Sequence, residues 1–154
     1  MLVATFFATL YEVNATCMRL VSGSKENVAA IQGVQDRLET LRNLAYSDLT
    51  NATYVKDLMA SPSNASDFAK GVVEEVTITA YNIESPTGGT TGTGMTIRRP
   101  AGASGPAAFV GTPDSTITDS KAVLVRVKYD WTMALAKRPR SEETSSIIAA
   151  GVKK

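Results

Sequence analysis

Along the first 45 residues, apolar side chains recur in steps of three and four: Leu10, Val13, Cys17 and Leu20, then Ile31, Val34, Leu38, Leu41 and Ala45. This spacing keeps a narrow stripe on one side of an α-helix and predicts one helix over about residues 1–48. Its tip, residues 1–13, is apolar apart from Glu12, and the part below is amphipathic. The stripe weakens at Ser22-Gly23-Ser24, where a bend is expected, and again at Gly33. Lys25, Glu26, Asp36, Arg37, Glu39 and Arg42 fall off the stripe and read as surface. At about 1.5 Å per residue such a helix runs to nearly 70 Å, against ~30 Å for a small domain, so part of it must project.

The polar run Asp48–Asn51 ends the helix, and a short second helix is expected at about 53–59, capped by Asn51 or Thr53. The period then changes to two. Val76, Ile78 and Ala80 alternate with polar neighbours, which is a strand pattern. Ser85–Gly94 reads as a loop, Met95–Arg99 as a short strand, and Phe109–Val110 and Thr116–Thr118 as weak strand candidates. The strongest strand follows: Val123, Val125, Val127, Tyr129, Trp131 and Met133 face one side, and Arg126, Lys128, Asp130 and Thr132 the other. One dry and one wet face favour an antiparallel sheet. With its return, this strand predicts a hairpin over about 121–149 at the centre of the sheet. The expected core lays Ile31, Val34, Leu38 and Leu41 on Val125, Val127, Tyr129 and Trp131. The expected fold is therefore α+β, a long N-terminal helix (1–48) packed on a small antiparallel sheet head (49–154).

Composition narrows the chemistry. The chain of 154 residues has 44% hydrophobic and 20% charged residues and a net charge of +1, so nothing draws it generally to nucleic acid or acidic lipid. There is no His, which removes the commonest base, the commonest metal ligand and every Ser-His triad. The single Cys17 has no internal disulfide partner and is expected to be a buried, inert thiol. Glu74-Glu75 and Glu142-Glu143 are neighbours on strands, so each pair points to opposite faces and reads as solvated surface. The glycines at 88, 89, 92 and 94 fit neither a P-loop nor a dinucleotide fingerprint. Arg98-Arg99, Lys137-Arg138-Arg140 and Lys153-Lys154 are small basic clusters that can touch phosphates. Tyr129 and Trp131 belong to the apolar strand face, so base stacking is not expected of them. No enzymatic activity, cofactor, metal, nucleic-acid partner or small-molecule substrate is expected. Three Asn-x-Ser/Thr triplets, at Asn14, Asn51 and Asn64, carry no weight, since so short a pattern arises by chance.

The order of elements resembles the type IV pilin and type II secretion pseudopilin group, and most closely minor pilins of the prepilin-type methylation class. Two runs carry the resemblance: residues 34–49, VQDRLETLRNLAYSDL, similar to the end of that family's helix, and the hairpin over residues 123–149, similar to its last two strands. The run MLVATFFATL is similar to the middle of the family's apolar helix, after its leader and its early Glu. The expectation is that Met1 is an internal start, the edge of a trimmed chain or a miscalled gene start. Roughly ten further residues would bring the apolar stretch to about 20, enough to span a bilayer, whereas the thirteen-residue tip covers about 20 Å of the roughly 30 Å of hydrocarbon. The resemblance implies a non-enzymatic subunit resident in the bacterial inner membrane with a periplasmic head, then assembled into an extracellular filament or secretion pseudopilus. Its membrane and assembly face would be Leu2, Val3, Phe6, Phe7, Leu10 and Val13, its partners other pilin or pseudopilin subunits through helix packing. The loops Ser85–Gly94 and Pro100–Pro113 would face outward and carry partner contacts. Two other classes fit a long helix with a sheet: a soluble or surface coiled-coil binding protein, and a phage or viral structural subunit.

Overall fold

In the computed structural model, which describes residues 2–82, 89–102 and 106–151, one helix and one sheet dominate. Helix α1 spans Leu2–Arg42, followed by short helices α2 (Tyr46–Leu49), α3 (Ala52–Leu58) and α4 (Asp67–Gly71). Strands β1 (Val73–Tyr81), β2 (Thr90–Arg99), β3 (Ala108–Phe109), β4 (Ala122–Thr132) and β5 (Pro139–Ala149) form one antiparallel sheet in the order β3-β2-β1-β4-β5. The molecule is thus α+β. The hairpin β4–β5 is present, but β1 holds the centre and β5 lies at the edge. Thr116–Thr118 lie in a 3-10 turn, Ser115–Asp119, instead of a strand, because Asp114 caps that turn by accepting from the Thr116 N–H at 2.9 Å.

Alternation decides which face of the sheet is dry. On β1, Glu74, Val76, Ile78 and Ala80 point inward and lie opposite Tyr129, Val127, Val125 and Val123 of β4. Met95, Ile97 and Arg99 of β2 continue that face on the other side. Val34, Leu38 and Leu41 of α1 close the core, with Leu49, Val55, Met59 and Val72 from the short helices and their connections. Helix α1 ends at Arg42, six residues earlier than expected, because Ala45 takes an extended backbone (ψ 145°) before the separate turn α2. Asn51 caps α3 as its side chain accepts from the Tyr54 N–H at 3.1 Å.

Several sequence expectations are corrected. The helix does not break at Ser22-Gly23-Ser24; α1 is continuous, and Gly23 is where a Cβ would run into the Met133 side chain. Gly33 has the same purpose: a Cβ there would lie 2.5 Å from Cε2 of Tyr129. Both glycines let the helix approach the head closely. Ile31 does not join the core and is 41% exposed, since the helix buries Ala30, Gly33, Val34, Arg37, Leu38 and Leu41, and Ile31 stands a full step of about 100° round from Ala30. Cys17 is exposed, being on the same outward side. Trp131 is half-buried, packed edge-on against Phe68 at 5.6 Å, with its indole N–H unpartnered.

The largest correction concerns charge. Arg37, Glu74 and Arg99, each expected at the surface or in solvated pairs, are buried together. The Glu74 carboxylate accepts from Arg37 Nε at 2.5 Å and from Arg99 Nε at 3.1 Å. Each guanidinium also donates to main chain, Arg37 to the Ser61 carbonyl at 2.6 Å and Arg99 to the Ala69 carbonyl at 2.7 Å. One carboxylate therefore ties α1, β1 and β2 together, and its two arginines fasten them to the α3–α4 loop and to α4 itself. Beside it, the Tyr129 hydroxyl hydrogen-bonds Ser63 Oγ, and burial, with the nearby Glu74 charge, pushes the Tyr129 phenol up to about 12.

Candidate assembly face

A helix docked on a sheet needs only one apolar side, and α1 has two. As far as Gly33 its inward side is built mainly of small residues, Ala15 and Ser22 half-buried and Gly23, Ala30 and Gly33 buried; below that Val34, Arg37, Leu38 and Leu41 enter the core. Small side chains set the helix down close to the strands, as they do between packed helices. The side turned away from the head carries the large residues. Val3, Phe7, Leu10, Cys17, Val21, Val28 and Ile31 follow one another in multiples of the three-and-four step and are all exposed. Asn14 and Ser24 fill the two polar positions of that series. Phe6, Val13 and Leu20 border it and are exposed as well.

The tip residues expected to serve assembly sit at the end of the helix remote from the head. Val3, Phe6, Phe7, Leu10 and Val13 are each more than half exposed, and none touches the core. Leu2 lies in the helix, but its side chain is outside the described residues. The first buried helix residue is Gly23. About twenty residues, some 30 Å of helix, therefore precede full contact with the head. Of the residues proposed for the helix–sheet core, Val34, Leu38, Leu41, Val125, Val127 and Tyr129 are buried together, Trp131 packs at the margin, and Ile31 belongs instead to the outward stripe. Ten exposed apolar side chains along one face of one helix form a patch of the kind that marks an interface in water-exposed proteins.

Other chemistry is sparse. Among the described residues no three His, Cys, Asp or Glu side chains are placed to hold a metal ion, and no helix is long and apolar enough to cross a membrane. Of the outward loops expected to carry partner contacts, residues 85–88 and 103–105 lie outside the described residues, and Thr90–Gly94 belong to strand β2 instead of a loop, paired with β1. Comparison with protein-family models, curated proteins and solved structures finds no match to this chain.

The outward stripe was half visible in sequence. Leu10, Cys17 and Ile31 carry it, but they merge in the linear pattern with Val34, Leu38 and Leu41, which face the sheet. The buried charges were also within reach. Carrying the alternation of Val76, Ile78 and Ala80 back by one step puts Glu74 inward, and Met95–Ile97 carried forward does the same for Arg99.

Proposed function

We propose that this chain is a non-enzymatic structural subunit of a pilin-like filament, a type IV pilus or a type II secretion pseudopilus, assembling through its N-terminal helix. The observation that carries this reading is the two-sided helix. Small residues, with Val34, Leu38 and Leu41 below them, hold it to its own head, and large apolar residues from Val3 to Ile31 point away from that head and are left exposed by the described residues. Fully covering one such Val, Leu or Phe side chain stabilises an assembly by about 1.5–3 kcal/mol. The matching surface is the same stripe on other copies or on related subunits. The tip, which stands clear of the head, fits residence in the inner membrane before assembly, with the head in the periplasm, and the sequence resemblance of residues 34–49 and 123–149 supports the same order of events.

The test is co-assembly. Phe6→Asp and Leu10→Asp are expected to abolish incorporation into filaments while the circular dichroism and unfolding of the head stay unchanged. Incorporation at the wild-type level by both variants would refute the reading. A second reading is favoured by one detail. The three-and-four register, with Asn14 at a core position, also suits a two-stranded coiled coil. A closed dimer in sedimentation that grows no further with concentration would select the coiled-coil binding protein over the filament subunit.

A further inference from the structure

Helix α1 leaves the head beside an open cleft of about 730 Å³. Its apolar floor is Leu20 and Met133, and three arginines stand around it: Arg19 from the helix, Arg138 from the β4–β5 connection and Arg140 from β5. Arg140 is opposite Trp131 in the sheet register and so lies on the helix side of the edge strand. All three arginines are exposed, and among the described residues none of their guanidinium groups makes a hydrogen bond or ion pair. On the helix beside this cleft, Glu26 accepts at Oε1 from the Ala134 N–H at 3.1 Å and from the Ser22 hydroxyl at 3.4 Å, while its Oε2 is buried without a partner. Glu142 is half-buried on the same face of β5, and Lys137 adds a further cation beside Arg138.

A second cleft, of about 290 Å³, continues toward the helix tip along Tyr11, Ala15 and Met18, and shares Arg19 and Leu135 with the first. Leu135 is 53% exposed. On the side of the helix that lines these clefts, the order from tip toward head is therefore the apolar tip, with aromatic Tyr11 and the one charge Glu12 at its lower end, then the exposed Leu135, then the arginines. That is the layering of a protein surface at a bilayer: apolar groups at acyl depth, amphipathic rings at the boundary, guanidinium groups at phosphate level. The spacing agrees. Six residues separate Val13 from Arg19, about 9 Å of helix. The headgroup layer on each side of the hydrocarbon is roughly 5–8 Å.

We infer that the base of the head is a docking surface for an anionic phospholipid bilayer, with Arg19, Arg138 and Arg140 on lipid phosphates and Leu135 reaching toward the acyl chains. The inference rests on the membrane part of the function proposed above. It assigns the head itself a hold on the bilayer, separate from that of the tip.

The test is flotation of the 154-residue chain with vesicles of phosphatidylcholine alone, or of phosphatidylcholine and phosphatidylglycerol in equal parts. Each cation at an anionic surface is expected to raise binding about fivefold, so the three together give a preference of about 100-fold for the anionic vesicles at low salt. Arg19→Gln/Arg138→Gln/Arg140→Gln is expected to lose that preference and keep the binding to neutral vesicles. All three side chains are exposed, so an unchanged circular dichroism spectrum is expected to accompany the loss. A triple variant that prefers anionic vesicles as the parent does would overturn the inference, as would a parent chain with no preference. Loss of self-association in vesicle-free solution, with vesicle binding unchanged, would also overturn it, by assigning the arginines to carboxylates of a second copy. Failure of the two proposals is separable. Co-assembly without arginine-dependent lipid preference removes only the docking surface, and arginine-dependent lipid preference in a chain that never co-assembles removes only the filament.

Discussion

Glu74→Gln is the most informative single change in the head. Glu74 is fully buried, and Arg37 and Arg99, at 2% and 4% exposure, are nearly so. The native cluster holds two positive charges and one negative. Loss of an arginine leaves a neutral ion pair; loss of the carboxylate charge leaves two guanidinium groups facing each other out of water. The amide keeps the shape of Glu74 but turns one acceptor into a donor aimed at donors. Breaking a buried pair by removing one partner costs about 3–5 kcal/mol, and the stability of a domain is about 5–15 kcal/mol. Arg99→Met removes one contact to Glu74 and orphans the Ala69 carbonyl that Arg99 holds at 2.7 Å, which costs about 1–3 kcal/mol. The expected order is therefore Glu74→Gln well below Arg99→Met, and Arg99→Met below the parent. Urea unfolding followed by the fluorescence of Trp131, the chain's single tryptophan, measures each difference directly. At about 2–4 °C per kcal/mol, Glu74→Gln should also lower the melting temperature by roughly 10 °C. If Glu74→Gln costs less than about 1 kcal/mol, or if Arg99→Met proves the more damaging, the balance of charge around Glu74 is not what sets the stability of the cluster.

Three further outcomes are expected from the packing and the titration, and a fourth from the outward stripe. Gly33→Ala should destabilise by about 1–3 kcal/mol in the same unfolding assay, since its Cβ meets the ring of a fully buried Tyr129 that Ser63 also holds. Gly23→Ala should be neutral or stabilising by up to about 1 kcal/mol, because its Cβ meets only the flexible end of Met133 and alanine favours the helix. Stability should fall as pH rises from 10 to about 12, by on the order of 1 kcal/mol per pH unit: the Tyr129 phenol keeps its proton in the folded chain after an unfolded tyrosine has lost its own, and ultraviolet difference spectra of tyrosinate report the same window. A maleimide should couple to Cys17 in the folded monomer at the rate of a free thiol and, once attached, block co-assembly without shifting the unfolding midpoint.

The fold was largely legible because its strongest patterns have one physical cause each. Strict alternation from Val123 to Met133 admits one arrangement, a half-buried strand, and β4 is that strand. The change of period after residue 70 separates helix from sheet for the same reason. Polar residues in apolar phase were the illegible part. Arg37 shares a helix face with Val34 and Leu41, and Glu74 a strand face with Val76, so phase points inward while residue type points to water. The general rarity of buried charge argues for the surface, and it holds for single charges. It fails where opposite charges from three elements meet, and such a meeting is invisible along one strand or one helix.

The helix shows the complementary difficulty. A three-and-four series records that a side chain avoids water, not which molecule covers it. Leu10, Val34 and Leu41 look alike in the series, yet two of them meet their own sheet and one does not. Over residues 15–33, though not at Val34, Leu38 and Leu41, side-chain size separates the two sides of the helix better than hydropathy does. Where α1 meets its own head it relies on Ala30, Gly33 and Gly23, whose small volume lets strand residues come close; where it faces outward it presents Phe, Leu, Val and Ile. A helix required only to cap a sheet would gain nothing from that outward series and would lose solubility by it. Exposed apolar bulk on the side opposite a close-packed, small-residue face is what a subunit needs when its helix must be gripped by its own head and by its neighbours together.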